Sequence, residues 1–178
     1  MSDPGRFVWY ELLTSDPAAA QAFYADVVGW TPQPFDDSGS YTMFVGPQGP
    51  LGGVTTLPDA AKQMGAPPFW QANVEVADVD ATVALVEQLG GKVYHVETVP
   101  EIGRFAVIAD PQGAVIAVFT PAKPMASHDA RQPGAIGWHE LYTTDNNAAL
   151  AFYQRIAGWE AKGSVDLGPM GTYLLWGR

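Results

Sequence analysis

One stretch of this chain is written twice. Phe7–Trp30, FVWYELLTSDPAAAQAFYADVVGW, returns at Ile136–Trp159 as IGWHELYTTDNNAALAFYQRIAGW. Trp138 follows Trp9 by 129 positions, and Glu140 follows Glu11, Asp145 follows Asp16, Phe152-Tyr153 follow Phe23-Tyr24 and Gly158-Trp159 follow Gly29-Trp30 at the same distance, without a gap. A fainter copy, FWQANVEVADVDATVALVEQLGGKV from Phe69, aligns at a distance of 62, placing Asp78 on Asp16, Leu85 on Phe23 and Gly91 on Gly29. Self-similarity of this kind fixes the architecture before any local reading does. The chain therefore reads as three successive repeats.

Each repeat opens with strand-like alternation, in which Phe7, Trp9, Glu11 and Leu13 share one face and Val8, Tyr10 and Leu12 the other. A helix follows: Asp16 is placed to cap it, Pro17 loses nothing at the first helical position, and Gly29 supplies a left-handed stop. Phe23 with Val27, and Ala20 with Tyr24, form an apolar stripe that is expected to face a sheet. Three short strands are expected next, over 30–35, 40–45 and 52–57 in repeat one and 92–98, 104–109 and 114–120 in repeat two. DPQG at Asp110–Gly113 is a turn between the last two. In repeat three only two follow, over 159–165 and 172–176, before Arg178. The expected fold is α+β, built from tandem βαβββ units.

The expected organisation is a pair of units over 1–121 (about 6–57 and 68–121), a Pro- and Gly-punctuated linker over 122–134 and an incomplete third unit over 135–178. Such a third unit predicts a fragment of a longer protein and an exposed edge that invites homodimerisation. With 178 residues, 47% hydrophobic and 16% charged, the chain buries a sizeable core. Nine basic residues against nineteen acidic give a net charge of −10, which repels nucleic acid and anionic membrane surfaces. No apolar run suits a membrane span or secretion signal, so the expected location is cytoplasmic. The absence of cysteine excludes disulfides, thiolate metal sites and a cysteine nucleophile.

The paired repeats, the two WYELLTSDPAAAQAFYADVVGW-type signatures and ADPQGAVIAVF near the end of repeat two resemble the vicinal oxygen chelate superfamily of glyoxalases, bleomycin-resistance proteins and extradiol dioxygenases. The likeness is greatest to a four-unit, glyoxalase-like bacterial subgroup related to a mycobacterial antigen. The resemblance implies that the βαβββ units pair into a curved mixed sheet around a cup, with the helices on its outer face, a scaffold that hosts many chemistries. The resemblance implies metal ligands on the opening strand of each unit, seven residues before the capping Asp, and a glutamate on each closing strand. Those positions hold Trp9, Gln71, Gly53 and Ala117. Only the amide of Gln71 could donate to a metal, so no resident metal or other cofactor is expected.

Glu11 lies on the Trp9 face, with Asn73 at the corresponding place in repeat two, so Trp9, Glu11, Gln71 and Asn73 are the expected ligand-binding set. A buried Glu11 could act as a general base; alternatively it only hydrogen-bonds across the sheet, since Glu140 repeats it in the unpaired unit. His95 and Glu97 share a strand face and, with Glu11, are the fallback metal ligands. His128 lies in the linker and is expected in solvent; His139 faces away from Glu140. Three functions stay open: metal-independent binding of a small aromatic or cationic molecule, a divalent-metal-dependent lyase, isomerase or dioxygenase, and a non-catalytic interaction protein.

Overall fold

The computed structural model describes residues 3–178. Its elements are β1 (Phe7–Thr14), α1 (Pro17–Val28), β2 (Thr31–Pro34), β3 (Tyr41–Gly46), β4 (Gly49–Thr56), α2 (Asp59–Gln63), β5 (Phe69–Glu75), α3 (Val79–Gln88), β6 (Lys92–Val99), β7 (Gly103–Ala109), β8 (Val115–Pro121), α4 (Asn146–Ala157), β9 (Glu160–Asp166) and β10 (Thr172–Gly177). The fold is α+β, and repeats one and two each run strand, helix and three strands. α2 was not expected within the 57–68 stretch; Asp59 in its first turn pairs with Lys62 at 3.0 Å, which favours one short helical turn there.

The helix boundaries follow from local chemistry. The Asp16 carboxylate accepts from Ala19 N–H at 2.9 Å, Asp78 accepts from Ala81 N–H at 3.0 Å, and Asp145 accepts from both Asn147 and Ala148 N–H. Gly29 and Gly158 end α1 and α4 at φ 79° and 70°, conformations that only glycine adopts without strain. In the DPQG turn the Asp110 carboxylate accepts from Gln112 and Ala114 N–H, both at 2.9 Å, and the Tyr153 hydroxyl donates to its other oxygen at 3.2 Å.

The described residues form two compact units: 8–73 with 126–139, called the α1 unit, and 3–7, 74–125 and 140–178, called the α4 unit. In the α1 unit the strand order is β2-β3-β4-β1-β5; β1 and β4 are parallel, whereas β2, β3 and β4 are antiparallel neighbours. Leu12, Trp30, Phe44, Leu51 and Val54 form its core, with Ala20, Tyr24, Trp70 and Ile136 against them. In the α4 unit β8, β7 and β6 form antiparallel neighbours, β9 pairs with β10, and α3 and α4 share a core with Val74, Ala106, Ile108 and Val118.

Two expectations need correction. The stripe of α1 is split: Tyr24 and Ala20 pack on the core, but Phe23 and Val27 are 57% and 63% exposed. The opening strand of repeat three does not form, and 136–142 carry no regular structure. In repeat one, β1 is held by a parallel ladder to the closing strand β4; among the described residues repeat three has no closing strand to offer such a ladder.

Each unit also takes in the leading segment of the other's repeat. In the α1 unit the Trp30 indole donates to Gly134 O at 2.7 Å; in the α4 unit the Trp159 indole donates to Gly5 O, also at 2.7 Å. Gly5 and Gly134 hold the same place in their repeats, at φ 84° and 80°. Trp30 stacks on Tyr24 at 5.5 Å, and Trp159 on Tyr153 at 5.3 Å. The buried Glu75 fastens the leading segment in the α4 unit, accepting from Asp3 N–H at 2.8 Å and from Arg6 Nη2 at 3.4 Å.

Candidate functional site

In the α1 unit, Glu11 on β1 lies beside Gly53 on β4, and Gly53 lies beside Met43 on β3. Tyr41, two residues from Met43, projects from the same face. Without a side chain, Gly53 leaves that face open, and the Tyr41 ring lies over it. A Cβ built on Gly53 would fall 2.3 Å from the Tyr41 hydroxyl and 2.4 Å from Cζ.

Tyr41 is therefore the centre of a directed chain. The Trp9 indole donates to the Tyr41 hydroxyl at 2.7 Å, and that hydroxyl donates to Glu11 Oε1 at 3.2 Å. Gln71 Nε2 donates to Glu11 Oε2 at 3.5 Å, and Asn73 Nδ2 reaches Trp9 O at 3.5 Å. Gln71 and Asn73 are buried, at 4% and 5% exposure. The four residues expected from the repeats thus meet in one cluster, and Tyr41 is the member that the sequence reading missed. Its signal was a second recurrence: YTMFVG at Tyr41 parallels YLLWG at Tyr173.

Burial raises the Glu11 carboxyl above its ordinary range, against the opposing effect of the Tyr41 hydrogen bond. Burial, then the Glu11 charge, pushes the Tyr41 phenol up, so it remains a donor at neutral pH. A carboxyl whose folded pKa exceeds its unfolded value of 4.5 destabilises the fold as pH rises through that folded value. Glu11→Gln is accordingly expected to raise the melting midpoint by a few degrees at pH 7, and the gain should shrink to nothing below pH 4.5. Melts across pH check this; a pH-independent difference would refute it.

The other candidates lie elsewhere. His95 pairs with Glu97 at 2.9 Å on the surface of β6, where both are about half exposed, and Glu11 belongs to the other unit. Ala117 is buried in β8. No group of three or more His, Asp or Glu side chains gathers at metal-binding spacing among the described residues. His128 is half-buried, contrary to the expectation of a solvated side chain, and its Nε2 is out of water without a hydrogen-bond partner. His139 stacks on Tyr10 at 5.5 Å with a 2.7 Å hydrogen bond, and partial burial lowers its pKa to about 4, leaving it neutral at pH 7. The α4 unit has a cleft of about 450 Å³ lined by Asp78, Leu85, Ile156, Glu160 and Arg178, none of them expected from the sequence as site residues. No helix among the described residues is long and apolar enough to cross a membrane.

Residues 9–119 match the Glyoxalase-like domain family, and the chain belongs to it. It is 31% identical over 157 residues to CFP32 of Mycobacterium tuberculosis, whose name assigns it provisionally to the glyoxylases; the match covers 84% of this chain and 59% of that protein. It is 32% identical over 168 residues to the anthracycline biosynthesis protein DauV of Streptomyces sp. strain C5, covering 87% of this chain and 61% of that one. The chain thus spans about 60% of the length of these relatives. Among solved structures, homoprotocatechuate 2,3-dioxygenase from B. fuscum is similar with a TM-score of 0.66 at 18% identity, over 99% of this chain and 51% of that one. The Mn(II)-bound glyoxalase of Novosphingobium aromaticivorans is similar with a TM-score of 0.59 at 22% identity, over 90% and 55%. These structures share the fold of the vicinal oxygen chelate superfamily.

Proposed function

We propose that the Glu11 cluster binds a flat, cationic organic molecule without a metal. The observation that carries this reading is the Tyr41 ring over Gly53. In a metal site of this fold, the closing-strand position would supply a carboxylate; here its place is taken by a phenol that is already committed to Trp9 and Glu11. A divalent ion needs several converging oxygen or nitrogen donors, and this cluster offers one carboxylate and two amides, so the residues do not fit a metal.

The same residues suit another ligand. The Trp9 and Tyr41 rings offer aromatic faces, Glu11 offers a negative charge, and Gln71 and Asn73 supply buried amides for orientation. A net charge of −10 attracts cations to the surface. A relative named for anthracycline biosynthesis favours the same ligand class, because anthracyclines are flat polycyclic aromatics and many carry an amino sugar.

The test is titration with doxorubicin, a fluorescent anthracycline amine, followed by tryptophan quenching. Binding is expected to weaken at least tenfold in Glu11→Gln and to survive chelation, and added Mn(II) or Zn(II) should leave the thermal melt unshifted. Stoichiometric bound metal, or a large saturable stabilisation by metal, would overturn the metal-free reading. Unchanged affinity in Glu11→Gln would remove the ligand from this cluster.

A further inference from the structure

We infer that repeat three carries a second cation-binding site of the same class, built on Glu140. Glu140 is the repeat counterpart of Glu11, and Tyr173 is the second residue of β10, near the place that Tyr41 holds as the first residue of β3. Within the α4 unit the Tyr173 hydroxyl donates to Glu140 Oε1 at 2.9 Å; in the α1 unit Tyr41 donates to Glu11 Oε1 at 3.2 Å. The pairing recurs although the strand bearing Glu140 does not form. It is therefore carried by the side chains and not imposed by a sheet.

The second carboxylate oxygen is also held. In the α1 unit Gln71 donates to it; in the α4 unit the Tyr142 hydroxyl does so at 3.2 Å. Tyr142 replaces the Leu13 of repeat one, and its side chain is 88% exposed. Two phenol rings thus border one carboxylate at the surface. A carboxylate held by two phenol hydroxyls, with their rings alongside, can receive an organic ammonium ion, combining charge attraction with cation–π contact where the ion lies over a ring. Because Glu140 is exposed where Gln71 and Asn73 are buried, the second site should be the weaker and the more sensitive to salt.

This inference rests on the ligand class proposed for the Glu11 cluster, and stoichiometry separates the two. Equilibrium dialysis of the whole chain against doxorubicin, at low and high salt, is run on the wild type and on Glu11→Gln, Glu140→Gln and Tyr173→Phe. The expected result is two equivalents, the weaker one losing at least tenfold in affinity in Glu140→Gln, less in Tyr173→Phe, and fading with salt. A single equivalent abolished by Glu11→Gln alone overturns the second site and leaves the first reading intact. A single equivalent abolished by Glu140→Gln alone does the reverse, and no binding at all sinks both. Two equivalents indifferent to Glu140→Gln also overturn the inference. An unchanged thermal melt in Glu140→Gln and Tyr173→Phe confirms that any loss reports binding and not unfolding.

Discussion

Phe152→Ala is expected to cost about 3–5 kcal/mol of stability, whereas Phe23→Ala, at the same place in repeat one, should cost no more than about 0.5 kcal/mol. The two residues have matching neighbours, and each ring meets the next tyrosine edge-on at 5.1 or 5.2 Å. Their surroundings differ. Phe152 is 3% exposed among Val86, Ile156 and the rest of the α3–α4 core, and it sits against Gly91, where a Cβ would come within 3.2 Å of the ring. Phe23 is 57% exposed. Urea denaturation of both variants checks the asymmetry; equal losses would mean that the outer face of α1 is covered in solution.

Gly53→Ala is expected to cost about 1–3 kcal/mol, because the added methyl meets the Tyr41 ring and not open space. The ring cannot move away without breaking its bonds to Trp9 and Glu11. Combining Gly53→Ala with Tyr41→Ala should therefore cost clearly less than the sum of the single changes. A double-mutant cycle on melting stability measures this coupling. Additive losses would show that Tyr41 does not occupy the space over Gly53, and the main support for a metal-free site would fall with it.

What could be read in the sequence was local or repeated. Asp16, Asp78 and Asp145 announced three helix starts because a capping carboxylate acts on an N–H two or three residues away, and DPQG carried its own turn. The grouping of Trp9, Glu11, Gln71 and Asn73 was legible because strand alternation and repeat alignment together fix which side chains share a face. Tyr41 was not, since its role depends on reaching across a glycine on the neighbouring strand. The exposure of Phe23 was hidden for a similar reason. An apolar stripe states that a helix wants a partner, and only tertiary packing tells whether α3, which serves α4, has a counterpart for α1. The missing strand of repeat three has the same origin, because a strand is specified jointly with its neighbour.

The crossed leading segments bear on how this chain is made. Trp30 precedes the carbonyl of Gly134 by 104 residues, and Gly5 precedes the indole of Trp159 by 154. At a synthesis rate of about 5–20 residues per second, the first contact waits roughly 5–20 s and the second roughly 8–30 s after its earlier partner leaves the ribosome. Throughout that interval the nascent polypeptide holds two tryptophans' worth of docking surface in reserve, and neither half can be finished before the other has been started. Repeated sequence would suggest modules completed one after another as they emerge; this wiring makes completion late and dependent on distant contacts, the regime in which folding is slowest and helper proteins have the longest access.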